Sequence, residues 1–505
     1  MTTKTENGSV DHGRHLDTLS SPAEFFAPCP RFGILVLGNP EATKQELFSK
    51  IFGVDLEKKV VADAFAIEHD IEKELSLHGQ NERLAIFTSQ NFGTDDPDNY
   101  TRACDFILSH SPNAVQKRKQ PVHCIWYCVA SEENRTVHTL EKKFFSNDLA
   151  TLAPQLPVVL TFTKYDEFIS QVQLDWSREA QDRGLSKVAV THILRDLTAK
   201  RFEQTIGKRW DDVLVPGLIK KVPRVCVSST VGDVDGGGFE ELAATTLAAV
   251  RDSRVRLAFA AAQRTSVFIS MQFCATTAAD YFTVNTGHAR KADGVEMAEI
   301  IPNFFAKAVA IFNMRDTAAV LTDPTLLDRI LGATFEPAQR RFLEESLHHS
   351  SIESGTILLG LSPHERAVLL TQALAGIVLF LHKLADTQWP HEDLVSPYTL
   401  PARTVERELQ EIRSGTEKQE VLETIEASRI FSSCQLKTEI ADLVVKAVEQ
   451  AERVDVPNSP NQRAGSRGIV VEDDSELQEI SLSFVNDKGP DDMFLPCGLK
   501  ILRLN

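Results

Sequence analysis

What this 505-residue sequence lacks excludes several chemistries. Eight cysteines are scattered at positions 29, 104, 124, 128, 226, 274, 434 and 497, and no C-x-x-C pair occurs. Neither a zinc site nor a disulfide framework is therefore indicated. Cys124, Cys128 and Cys226 lie inside apolar runs, where a thiol behaves as a small hydrophobe. There is no basic excess either: 54 Lys and Arg stand against 71 Asp and Glu, for a net charge of −17. Such a chain has no cationic surface with which to release counterions from nucleic acid, so no nucleic-acid partner is expected. The opening MTTKTENGSVDHGRHLDTLSS contains no apolar core of a signal peptide, and a reducing, cytoplasmic setting is expected. No repeat at a fixed 20–50-residue period is evident.

One stretch comes near a membrane span without reaching it. AVLLTQALAGIVLFL, at 367–381, is shorter than the roughly 18–20 residues a spanning helix needs. It contains Thr371 and Gln372, and it follows Ser362-Pro363-His364-Glu365, a capping-box spacing with Pro at the first helical position. This reads as a buried core helix, with no stable membrane span.

What is present is an ordinary globular composition, 42% hydrophobic and 25% charged, long enough for two to four domains. Residues 1–29 read as a flexible, disordered leader. From 30 to 255, strand-like runs alternate with helix-like ones: Phe32–Leu37, Ala64–Asp70, Leu84–Thr88, Val122–Val129, Val158–Thr163 and Arg224–Ser228. Most are continuously apolar, as expected of strands buried on both faces, and the alternation predicts a mostly parallel, doubly wound α/β domain. From 256 to 453 helical patterns dominate and predict an α-helical domain. Residues 454–505, rich in Pro, Gly and acids, read as a mostly disordered tail.

The chemistry concentrates at three strand ends. LVLGNPEATKQELF runs from an apolar strand into Gly38 and Asn39, with Lys44 at the spacing of a phosphate-loop lysine. VVLTFTKYDEF places Thr163, Lys164 and Asp166 at another strand end, in the T-K-x-D form that reads guanine: the carboxylate accepts from N1–H and the exocyclic amine, while the lysine stem covers the base. RVCVSST ends a third strand at Ser228, Ser229 and Thr230, where a backbone amide would meet the guanine carbonyl. In open α/β sheets, ligands sit beyond such carboxyl ends.

The order FGILVLGNPEATK, HCIWYCVASEENR, VVLTFTKYD, VCVSST resembles fungal P-loop G-domain proteins of the Era and tRNA-modification GTPase type, over roughly residues 30–255. The resemblance implies a Ras-like P-loop NTPase fold followed by a helical region, and GTP or GDP as ligand. Lys44 would meet the β- and γ-phosphates, Asp166 would read guanine, Lys164 would pack on the base, and Ser228–Thr230 would flank it. The departures lie where hydrolysis is done. Gln45 replaces the magnesium-binding hydroxyl, no threonine occurs between Thr43 and Thr88, and Thr88-Ser89-Gln90-Asn91 stands in place of D-x-x-G. Asp95 and Asp96 lie near enough in sequence to act as substitutes. Thr43 and Pro40 reduce the backbone donors around a phosphate. Weak, magnesium-independent binding with impaired or absent hydrolysis is expected, with no metal site and no catalytic residue assigned.

Two other readings belong to different classes. One is a pseudo-GTPase scaffold whose helical domain binds a protein partner. The other is a membrane-associated assembly protein using the 367–381 helix. Away from the strand ends, His123 beside Cys124 reads as structural, because neighbouring strand residues face opposite ways. Trp126 and Tyr127 read as core, and the pairs Glu132-Glu133 and Asp473-Asp474 as solvated loop charges.

Overall fold

Five of the apolar runs assemble into one all-parallel sheet, as their two-sided burial requires. In the computed structural model the strands are β1 (Phe32–Gly38), β2 (Leu84–Thr88), β3 (Cys124–Ala130), β4 (Val158–Thr163) and β5 (Arg224–Cys226), in the order β2-β1-β3-β4-β5. The structure describes residues 21–38, 42–54, 71–75, 77, 80–89, 92, 95–111, 120–152, 154–182, 187–214, 222–228, 238–285, 297–314, 319–323, 325–335, 363–388, 400–426 and 436–454. The expected strand at 64–70 and the 454–505 tail, save residue 454, lie outside the described residues, as does Asp473-Asp474.

Alternation along the strands divides the sheet's side chains between two cores. Ile34, Val36, Cys124, Trp126, Cys128, Val159 and Val225 face one way. They are covered by α2 (Ala42–Phe52), α8 (Phe239–Ala249) and α9 (Ser253–Ala262). Leu35, Leu37, Ile125, Tyr127, Val129, Leu160 and Phe162 face the other. That side carries α3 (Pro97–His110), α4 (Thr139–Lys143, continued by a π-turn at Phe144–Asp148 and by Leu149–Leu152), α5 (Tyr165–Asp182), α6 (Lys187–Phe202) and α7 (Lys208–Asp211). The expected core aromatics behave as such. Trp126 stacks on Phe52 with ring centres 5.5 Å apart, and its indole N–H donates to Thr246 Oγ1 at 2.9 Å.

Among the described residues, the helices that follow are α10 (Val267–Asn285), α11 (Met297–Phe312), α12 (Leu326–Thr334), α13 (Pro363–Gln388), α14 (Ala402–Ser414), α15 (Glu417–Glu426) and α16 (Leu436–Val454). The apolar 367–381 stretch is the middle of α13, which touches every other one of these helices. A helix apolar all round needs partners all round, and α13 has them. By length and composition α13 could cross a membrane, but most of it is buried in protein. At Gly376 it packs tightly on α12, where an added Cβ would lie 2.6 Å from Thr334 Cγ2.

Two helices lie at the boundaries read in the sequence. Within the stretch read as leader, Ser21 caps α1 (Pro22–Phe26) in a capping box with Glu24. Phe25 and Phe26 are buried in the helical core, and the Arg83 guanidinium sits 3.9 Å from the Phe26 ring centre. Second, α9 straddles the expected break at 255. Its Phe259 packs edge-on to Phe32 in the sheet core, while Leu257 and Ala261 belong to the helical core.

The same junction finishes α2. The last carbonyls of a helix lack intrahelical donors. Here Thr265 Oγ1 donates to Lys50 O at 2.8 Å, Arg264 N–H to Ile51 O at 2.6 Å and Asn81 Nδ2 to Phe52 O at 3.2 Å. Asn81 Nδ2 also reaches Ala262 O at 2.7 Å, and Asn313 Nδ2 donates to Asn81 Oδ1 at 3.3 Å. The sheet layer and the helical layer are thereby joined through buried polar groups.

Candidate functional site

The strand order places a topological switch between β1 and β3, because the chain leaves β1 for β2 on one side and for β3 on the other. Gly38 ends β1 at that point, with φ +97°. A Cβ there would lie 2.1 Å from Cys128 O on β3, so both the backbone angle and the space require glycine. Gly38→Ala is expected to cost ~1–3 kcal/mol. Urea unfolding would measure it, and an unchanged midpoint would show that the β1 end relaxes freely.

Lys44 lies in the first turn of α2, the helix that follows β1. The β4 end supplies the next group. Thr163 is buried and donates its hydroxyl to Val129 O at 3.3 Å. Lys164 adopts φ +57°, an uncommon angle for a residue with a side chain, and its ammonium pairs with Glu167 at 3.3 Å. Asp166 sits in the first turn of α5. The turn is tied to β5: Tyr165 N–H donates to Val227 O at 3.1 Å, and Val227 N–H to Phe162 O at 2.7 Å. Ser228 follows directly and is buried. Gly38, Thr163, Lys164, Asp166 and Ser228 thus all stand along one edge of the sheet. Asn39, Ser229 and Thr230 lie outside the described residues.

Sequence reasoning passed over Glu46. It lies two residues after Lys44 in α2, and its carboxyl titrates above the usual range because it is partly buried and faces the charge of Asp166, with Lys50 opposing the shift. The only signal in the sequence is an acid close behind the lysine, which no motif weights.

Asp95 and Asp96 have other employment. Asp96 is the N-cap of α3, accepting from the amides of Asp98 at 3.0 Å and Asn99 at 3.3 Å and from Asn99 Nδ2 at 2.7 Å. Asp95 accepts from Leu140 N–H at 3.2 Å and stands 3.5 Å from His138. Their part here is to anchor α3 and α4. Among the described residues no three potential metal ligands gather.

The loop after β3 is more tightly held than its polar sequence suggests. Glu141, fully buried, accepts from Tyr127 Oη at 2.5 Å and Arg135 Nη2 at 2.6 Å, and its second oxygen accepts from His138 N–H at 2.9 Å. Burial and the adjacent Glu141 carboxylate hold the Tyr127 phenol well above its ordinary pKa. Glu133, expected to be a solvated charge, forms a two-pronged ion pair with Arg201. Arg209 donates to the backbone carbonyls of Arg135 at 2.6 Å and Glu133 at 2.5 Å. These contacts fix the chain as it leaves β3 beside the candidate site.

No protein-family model and no curated protein sequence matches this chain. The chemistry open to it follows from the groups in place. The His123–Cys29 contact is structural: His123 Nδ1 accepts from Gly33 N–H at 2.8 Å, and its Nε2 meets Cys29 Sγ at 3.8 Å. Burial lowers the His123 pKa to about 4 and raises that of Cys29 to about 11, so both stay neutral near pH 7. The sheet edge holds a glycine-terminated strand leading into a helix, a carboxylate and a lysine on one turn, and buried hydroxyls beside them.

Proposed function

We propose that the carboxyl edge of the sheet is a weak guanine-nucleotide site of P-loop type, taking GTP or GDP with little dependence on magnesium and with impaired or absent hydrolysis. One observation carries the reading. The residues of the phosphate-loop strand end (Gly38), the T-K-x-D turn (Thr163, Lys164, Asp166) and the S-S-T strand end (Ser228) come to one sheet edge around a topological switch. Asp166 would accept from N1–H and the exocyclic amine of guanine, and Lys164 would lie along the base. Lys44 and the N-terminus of α2 favour an anion. The hydroxyl that would bind Mg²⁺ is replaced by Gln45, and Asp95 and Asp96 are occupied in helix anchoring. Micromolar affinity requires about −8 kcal/mol, more than the base contacts provide, so weak binding is expected.

Calorimetric titration of GTP, GDP and ATP, each with Mg²⁺ and with EDTA, tests this. Guanine-selective binding that survives EDTA is the expected result, and no heat at millimolar nucleotide would sink it.

A second reading is favoured by Glu46. Its carboxylate and that of Asp166 oppose an incoming polyphosphate, as a nucleotide-free scaffold would tolerate. In that case the helical layer would serve a protein partner.

A further inference from the structure

Two serine hydroxyls at the sheet edge are buried without any hydrogen-bond partner: Ser131, 5% exposed, and Ser228, 4% exposed. Buried hydroxyls are ordinarily satisfied, and an orphan costs stability. Their positions are related. Ala130 pairs with Thr163 and Cys226 with Phe162, so continuing either register brings Ser131 and Ser228 opposite Lys164, one on each side. The Ser131 N–H donation to Thr163 O at 2.9 Å continues the first ladder, and the Tyr165–Val227 bond the second. By alternation Ser131 shares a face with Tyr127 and Val129, and Ser228 shares that face with Cys226. Between them Lys164 holds its left-handed backbone, a local strain of the kind that collects where ligands bind. An orphaned hydroxyl thus lies on each side of a strained lysine, in the turn that carries Asp166.

We propose that Ser131 is a ligand-contacting residue of this site, acting with Ser228 as a pair of hydroxyls that hydrogen-bond the guanine base on either side of Lys164. The proposal rests on the guanine-nucleotide reading above. No motif draws attention to Ser131, which belongs to the turn after β3. A hydroxyl both donates and accepts, so the pair can meet the carbonyl and ring nitrogens of a purine. The contacts that fix the 131–138 loop, from Glu141, Arg201 and Arg209, hold Ser131 in place before ligand arrives.

The test is titration of GDP into the parent protein and the Ser131→Ala, Ser228→Ala and Asp166→Ala variants, with thermal midpoints measured in the absence of nucleotide. Ser131→Ala should weaken GDP about two- to tenfold, the effect of one hydrogen bond. Without ligand its midpoint should hold or rise, since a hydroxyl with no partner is removed. An unchanged Kd for Ser131→Ala in a parent that binds GDP would overturn the proposal and leave the nucleotide reading standing. So would a lowered unliganded midpoint, which would mark the hydroxyl as structural. A parent that takes up no GDP would overturn both.

Discussion

Replacing Asp166 with alanine is expected to abolish discrimination between guanine and adenine nucleotides. Two bonds from a carboxylate to the N1–H and amine of guanine contribute ~1.5–3 kcal/mol each, and adenine offers neither in that arrangement. Their joint loss corresponds to roughly a hundred- to ten-thousandfold in affinity. On the proposed reading the parent itself binds weakly, so GDP should fall to the level of ADP and beyond calorimetric reach. The fold should survive, since Asp166 lies in the first turn of α5 and is partly exposed. A variant that still prefers GDP to ADP by the parent's ratio would remove Asp166 from base recognition. Asp166→Asn is the informative companion: it keeps the shape and one acceptor, so a partial loss would show the carboxylate's charge at work.

The largest loss of stability is expected from Glu141→Ala. Breaking a buried ion pair by removing one partner costs ~3–5 kcal/mol, because the other charge remains in a poorly solvating interior. Arg135 has only 8% of its side chain exposed, and Tyr127 is fully buried. Both lose their acceptor together. The His138 amide loses the capping carboxylate that starts α4. Glu141→Gln retains an acceptor and should cost less. Urea denaturation of the two variants decides this; equal midpoints for parent and Glu141→Ala would mean that water reaches Arg135.

The sheet was legible in the sequence because most of its strands are near-continuous apolar runs, a pattern produced by burial on both faces. β3 was bounded less well, since Val122 and His123 are apolar or buried without belonging to the ladder. At the candidate site, motif spacing singled out Gly38 and the Thr163–Asp166 turn, whose pattern is local in sequence. Residues defined by neighbours far along the chain were missed. Glu133 looked solvated because its partner, Arg201, is 68 residues away. Ser131 carries no pattern at all, and its interest arises only from a register across two strands. The left-handed angle at Lys164 leaves no mark in a one-dimensional sequence either. The α1 segment was read as part of the leader, although Ser21 and Glu24 have capping-box spacing and two phenylalanines follow.

The polar junction at the end of α2 bears on how the protein is made. Lys50 finds its donor in Thr265, a residue synthesised 215 positions later, and Ile51 waits for Arg264. Phe259, which packs against both Phe32 and Phe52, comes late as well. A nascent chain that has released all five strands from the ribosome therefore still lacks the donors to two carbonyls at that helix end and the ring that covers Phe32. The α/β layer is completed from outside its own stretch of sequence, by residues beyond position 255.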